Sequence, residues 1–307
     1  MKATFSIPGL KYFLKNSVSA ETSVNPKKWS KENPFYGHCA VIALVVQDEL
    51  GGKILRGELS EEWRKKLGYG SHYWNILADG KIVDFSKEQF PKDFPYEIFI
   101  KANNNKDYRE YILSFPETRK RYEVLLKRFK NFVNSNPIFT NEIFHKCWEV
   151  AFSENSKCLK MKFGAVVYDK NKLITSSPNR LMTEQFGKSR FCSLDGSSCA
   201  RINIQSRMDA TIGDCGHAPV WCLKQVFDMG YKPSDLPKLD FYEAGFYPDG
   251  TPWMRKEASY TCTYCENIFA IFGLDKIWGV VDKEWVKLWT KDSFYSSAQY
   301  ALGKAKL

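Results

Sequence analysis

Three residues in the second half of the chain, His217, Cys262 and Cys265, have the types and spacing of an open metal site. Cys262 and Cys265 form a Cys-x-x-Cys at the start of an apolar run that reads as a helix, which puts two thiolates on one turn with converging sulfurs. A distant His completes a three-ligand set for Zn2+, and the fourth tetrahedral position is left for a water that becomes a nucleophile. A second constellation lies in the first half. Cys39 begins a predicted helix, where the helix dipole favours the nucleophilic thiolate. His72 opens one predicted strand and Asp84 ends the next, so a base and its orienting acid can both reach that thiol. The inert alternatives are a packed Cys, a packed strand His and an Asp turn cap. Cys192 and Cys199 bracket a loop-like run and, with Cys215 and a fourth ligand, offer a second metal site; scattered buried cysteines are the plainer alternative. Cys222, beside Trp221, reads as core.

The elements that must position these groups follow from periodicity and breakers. Residues 1–35 read as a helix and a loop, with Asn25-Pro26 and Asn33-Pro34 as breakers. Ala40 to Leu50 is apolar around most of its circumference and stops at Gly51-Gly52, the pattern of a buried helix with a glycine cap. His72 to Leu77 and Lys81 to Phe85 read as strands of a hairpin turned by Ala78-Asp79-Gly80. Residues 105–133 read as helical, and Asn134-Ser135-Asn136-Pro137 marks a boundary between domains at 1–133 and 138–307. Beyond it come a helix carrying Ile143, Trp148 and Ala151, and a hairpin from Phe163–Tyr168 to Leu173–Ser177. A strand at Leu239–Phe246, a loop at Pro248–Pro252, the Cys pair with its helix, and a strand at Ile277–Val281 complete the series. This alternation predicts a mixed sheet flanked by helices, an α/β class for the whole chain.

Composition bounds the partners. The chain has 307 residues, 44% of them hydrophobic and 15% aromatic, enough to bury two cores. A formal charge of +10 favours phosphate-bearing partners, nucleotides or nucleic acid. The basic residues are scattered, however, and the densest group, Arg119-Lys120-Arg121 with Lys127-Arg128 and Lys130, reads as the solvated face of a helix. The apolar runs around Lys2, Lys11 and Lys15 are too short for a signal core, and no run approaches the roughly 18 apolar residues of a membrane span. Nine cysteines, an odd number, in such a chain point to a cytoplasmic protein without a membrane partner, its thiols free for metal or catalytic work.

Two resemblances sharpen these readings. Thr22-Ser23, Lys28-Trp29-Ser30, Asn33-Pro34, Gly37-His38-Cys39-Ala40, Ala43 to Asp48, Gly51-Gly52, Ser71 to Asn75 and Arg119 to Leu126 together resemble the bacterial YunG family, over roughly residues 20–130. That family is similar to papain-like and transglutaminase-like folds, which share the order Cys, His on a strand, Asp on the next strand. The resemblance implies an α+β domain and a thiol hydrolase or amidotransferase. Asn33, six residues before Cys39, would offer the oxyanion-hole amide that papain-like enzymes take from a Gln at similar spacing.

Residues 138–307 resemble the cytidine and deoxycytidylate deaminase superfamily, which implies an α/β/α sandwich, bound zinc, a nucleotide or nucleobase substrate and oligomerisation through this domain. Asn179 lies where such enzymes often hold substrate. The superfamily places a proton-shuttling Glu two residues after the metal-binding His, on the first turn of the same helix; this chain has Pro219 there. Proline is comfortable near a helix start, so the fold tolerates the change while the chemistry loses its acid–base group. Glu243, Glu257 and Asp214 are the candidate substitutes. Thr261 stands where the superfamily has Pro, and a longer insertion separates the two motif halves. A deaminase with a non-standard shuttle, a thiol enzyme built on Cys39, and a silent module that binds nucleotide or nucleic acid are the three functions these features allow.

Overall fold

Ser6 accepts the backbone N–H of Gly9 and Pro8 occupies the first turn, so α1 begins at Ile7 and runs to Lys15. The computed structural model describes residues 5–101, 106–156, 158–181, 215–255 and 263–288. It divides into two units, Met1–Asn136 and Pro137–Leu307.

In the first unit α2 (Cys39–Leu50) buries Val41 through Val46 without a break, and Gly51, at φ +77°, ends it. Each large apolar side chain buried this way contributes about 1.5–3 kcal/mol. β1 (Lys53–Glu58), α3 (Glu61–Leu67), β2 (Ser71–Ile76) and β3 (Ile82–Val83) follow. The three strands form an antiparallel sheet in the order β1-β2-β3, with β2 central. β1 escapes sequence reading because Lys53-Ile-Leu-Arg-Gly-Glu buries only Ile54 and Leu55 and shows no alternation. α4 (Tyr96–Lys101), α5 (Arg109–Leu113) and α6 (Pro116–Asn134) complete the unit. The stretch 105–133, expected as one helical segment, is therefore broken: Pro116 forces extended backbone on Phe115, at φ −90° and ψ 111°.

The second unit opens with α7 (Glu142–Ala151), capped by Asn141 Oδ1 accepting from the Phe144 amide. β4 (Lys162–Asp169), β5 (Lys172–Pro178), β6 (Arg180–Leu181), β7 (Cys215–Gly216), α8 (Ala218–Asp228), β8 (Leu239–Phe246), β9 (Pro252–Trp253), α9 (Thr263–Ile271), β10 (Ile277–Val281) and β11 (Glu284–Lys287) follow. The main sheet runs β11-β10-β8-β4-β5 with β9 added on β8; β8 and β10 are parallel and the other pairs antiparallel. Successive side chains point to opposite faces, and both faces are covered. Ala165, Val167, Phe241 and Ile277 pack against Ala218, Cys222 and Leu223 of α8 and Cys265 and Phe269 of α9. On the other face Trp148 of α7 stacks on Phe246, with ring centroids 4.9 Å apart. Gly164 permits that approach, since a Cβ there would lie 1.9 Å from the Cys147 carbonyl oxygen. The helix-flanked mixed sheet expected from the alternation is present, and Cys222 is core, as read. Among the described residues no helix is long and apolar enough to cross a membrane.

Candidate active site

The loop before α2 is held by its own short polar groups. Ser23 Oγ donates to the Tyr36 carbonyl at 2.9 Å, and the Val24 amide donates to the Gly37 carbonyl at 3.0 Å. Gly37 has φ +73°, and a Cβ there would meet Ser23 Oγ at 2.5 Å, so the sharp turn and the close packing both require glycine. His38 is fully buried, 2.8 Å from Thr22 Oγ1 and 2.9 Å from the Tyr36 carbonyl. Burial pulls its pKa down to about 4, so it is a neutral structural latch. This clasp delivers Cys39 to the first position of α2, half-buried, beside the unspent amides of the helix's first turn.

Across from it, β2 carries His72, fully buried. Asn75 on the same strand donates to the Ala43 carbonyl at 2.9 Å, one turn beyond Cys39, and so fixes the helix against the strand. His72 Nε2 lies 2.6 Å from Asp84 Oδ2, just past β3. The Asp84 carboxylate also accepts from Tyr96 Oη at 2.5 Å and from the amide and hydroxyl of Ser86 at 3.0 and 2.9 Å. Burial pushes the Asp84 pKa up, but His72 and these donors outweigh it and hold the carboxylate below its usual range. Burial likewise opposes a charge on His72; the Asp84 charge and hydrogen bond, with a hydrogen bond to Cys39, overcome it and raise the imidazole to about 9. With Nε2 given to Asp84, Nδ1 is the nitrogen left for the thiol. Gln89 Nε2 also reaches Nδ1, at 2.8 Å. Phe90 packs edge-on to the His72 ring at 4.7 Å, and Trp74 stacks beside it at 5.9 Å, keeping water from the pair.

A cleft of about 180 Å³ opens over Cys39. Gly37, Tyr69, Tyr73, Gln89, Thr118 and Arg121 are among its walls. The structure thus brings Cys39, His72 and Asp84 together as the sequence suggested. Asn33 is not among the residues lining the cleft; its amide donates to Ser30 Oγ at 3.2 Å and its carbonyl accepts from the Tyr36 amide, so it builds a turn. Sequence reading also missed Gln89, Tyr96 and Arg121. No periodic signal singles out the first two. Arg121 had one: it stands one turn before Leu125 on the stripe that continues through Phe129 and Val133, the buried residues of α6. The solvated-face reading therefore holds for Arg119, Lys120, Lys127, Arg128 and Lys130, which are exposed, and fails for Arg121, which faces the cleft.

In the second unit His217 is the N-cap of α8, and its Nδ1 lies 3.1 Å from Cys265 Sγ on the first turn of α9. Two of the three expected zinc ligands therefore meet across two helix starts. Cys262, three residues before Cys265 in the sequence, lies outside the described residues, as do Glu257, Asp214, Cys192 and Cys199; Cys215 is described in its backbone alone, in β7. Among the described residues no group of three or more His, Cys, Asp or Glu side chains is gathered for a metal. Pro219 is buried at the second position of α8. Glu243 is buried and ion-paired with Arg255, also buried. Asn179 is spent on backbone: Oδ1 accepts from the Phe163 amide at 2.9 Å and Nδ2 donates to the Met161 carbonyl at 3.0 Å, pinning the start of β4.

Residues 6–134 match the family model described as YunG protein, a span that takes in Cys39, His72 and Asp84. The chain is 38% identical over 88 residues to a Bacillus subtilis (strain 168) protein described as "Uncharacterized protein YunG". That match covers 29% of this chain and 66% of the relative, just under two thirds of the relative's length. No solved structure matches the chain.

Proposed function

We propose that the YunG-like unit is a thiol hydrolase or acyl transferase acting through Cys39, His72 and Asp84. The observation that carries this reading is the buried His72–Asp84 contact of 2.6 Å beside a thiol at a helix N-terminus. The Cys39 proton passes to His72 Nδ1, and the thiolate attacks the carbonyl carbon of an amide, ester or thioester. First-turn amides of α2 face the oxyanion that develops. The leaving group takes the proton from Nδ1 as its bond to the carbonyl breaks, which leaves a thioester on Cys39. His72 then deprotonates water or an acceptor amine, whose attack releases the acyl group and restores the thiol. Asp84 fixes the tautomer with Nε2–H and stabilises the imidazolium, the part a buried carboxylate plays in such relays. Iodoacetamide labelling mapped by peptide mass spectrometry tests the reading. Cys39 is expected to react ahead of the other cysteines, and more slowly in His72→Ala; equal labelling of all exposed cysteines, unchanged in that variant, would sink it.

A second reading rests on the 3.1 Å contact between His217 Nδ1 and Cys265 Sγ. Two potential ligands that close fit a shared zinc, with Cys262 as third ligand, and so support a zinc-dependent deaminase acting on a nucleotide or nucleobase. When bound, the metal supplies Lewis acidity. Pro219 offers no proton shuttle, and Glu243 would have to leave Arg255 to replace it. Ammonia release from nucleosides or nucleotides that disappears in His217→Ala is the expected result; release unaffected by that change would refute the reading.

A further inference from the structure

Arg121 lines the Cys39 cleft, and its guanidinium is held by neutral groups: the Thr22 carbonyl at 3.4 Å and Thr118 Oγ1 at 3.1 Å. Among the described residues it has no carboxylate partner, whereas Arg56, Arg64, Arg109 and Arg255 each have one. A guanidinium has five N–H donors in a planar fork, and leaving several of them unmatched in a half-buried site is costly. Burial accordingly weakens its hold on its proton, a cost only partly offset by Cys39 and Glu117 nearby. Two further polar groups on the same cleft are unmatched. The Tyr69 hydroxyl is buried with no hydrogen-bond partner, and so is Oε1 of Gln89, a residue only 6% exposed. Val24, Ile112 and Phe115 add apolar lining. A cation held only by neutral groups, an unmatched hydroxyl and an unmatched amide oxygen thus line one cleft whose volume, about 180 Å³, suits a group of a few non-hydrogen atoms.

We propose that this cleft is a carboxylate subsite: the acyl substrate of Cys39 carries a carboxylate beside its scissile carbonyl, bound by Arg121 and the Tyr69 hydroxyl. A planar carboxylate matches the guanidinium fork through two parallel hydrogen bonds. The proposal rests on the thiol reading of Cys39 and adds a preference for charge. Its nearest rival is that Arg121 serves only to stabilise the Cys39 thiolate.

Two alkylating agents of nearly equal size separate these possibilities. Iodoacetate carries a carboxylate and iodoacetamide does not, and in both cases the Cys39 thiolate forms an S–C bond as iodide leaves. In the full chain the ratio of iodoacetate to iodoacetamide rates at Cys39, followed by peptide mass spectrometry, is expected to fall about tenfold in Arg121→Gln, the size of a lost charge-assisted hydrogen bond. Arg121→Lys, which keeps the charge and loses the fork, is expected to give an intermediate ratio. Equal slowing of both reagents, with the ratio unchanged, overturns the subsite and assigns Arg121 to the thiolate. A wild-type Cys39 that reacts with neither reagent ahead of the other cysteines overturns the thiol reading as well.

Discussion

The His72 ring and the Asp84 carboxylate meet at 2.6 Å with side chains 0% and 3% exposed, and Tyr96 and Ser86 supply the carboxylate's remaining donors. A fully occupied buried carboxylate does not rotate away from its partner, so it fixes which ring nitrogen holds a proton. That is a positioning role, and its energetic consequences can be measured.

Asp84→Asn keeps the shape and removes the charge that lifts His72 to about 9. Cys39 alone then opposes burial, and the imidazole should titrate below that value. The limb of the Cys39 alkylation profile that depends on a protonated His72 is expected to move from near pH 9 toward neutrality, and turnover to fall by roughly 10²- to 10⁴-fold. A profile whose midpoint does not move would show that Asp84 does not govern His72.

Acid should destabilise both units through different histidines. Burial lowers His38 in the first unit and His145 in the second to about 4, from an ordinary value of 6.5. Below pH 6.5 the unfolded chain binds protons that these folded sites refuse, so the contribution is intact above pH 6.5 and lost as the pH falls toward 4. Each site is worth about 3 kcal/mol across that window. Denaturant midpoints at pH 7, 5.5 and 4 should fall in sequence, and His145→Phe should flatten the loss for the second unit. Constant midpoints would contradict the burial of both rings.

Gly164→Ala should destabilise the second unit by about 1–3 kcal/mol or more, because the added methyl runs into the Cys147 backbone and only a shift of α7 from β4 relieves it. Equilibrium unfolding measures this directly. A neutral result would mean that the helix is not seated as closely as the 1.9 Å overlap requires.

Zinc content tests whether the His217–Cys265 contact is part of a metal site. Protein purified without added metal is expected to carry about one zinc per chain by atomic emission, lost in Cys265→Ala and in His217→Ala. Metal-free protein with an unchanged unfolding transition would leave the His217–Cys265 contact as ordinary packing.

Much of the architecture was legible because it is written in local patterns. The Ala40–Leu50 run, the Asp79-Gly80 turn, and the Leu239–Phe246 and Ile277–Val281 strands are apolar periodicities bounded by glycine, proline or aspartate, and short-range sterics decide them. Cys39, His72 and Asp84 could be named for the same reason, since each sits at the end of a recognisable element. Only the tertiary structure placed Gln89 and Tyr96 around that triad, because their contacts span 17 and 12 residues and arise from how a loop and a short helix fold back. It also tied the Asn33 backbone into a turn, and it engaged the buried Asn179 and Glu243 elsewhere, since a polar side chain that is buried takes whichever partners the packing brings. Arg121 lies between the two cases. Its helical phase is readable from the sequence, but that its inward face meets a cleft with no carboxylate is a property of neighbours distant in the chain.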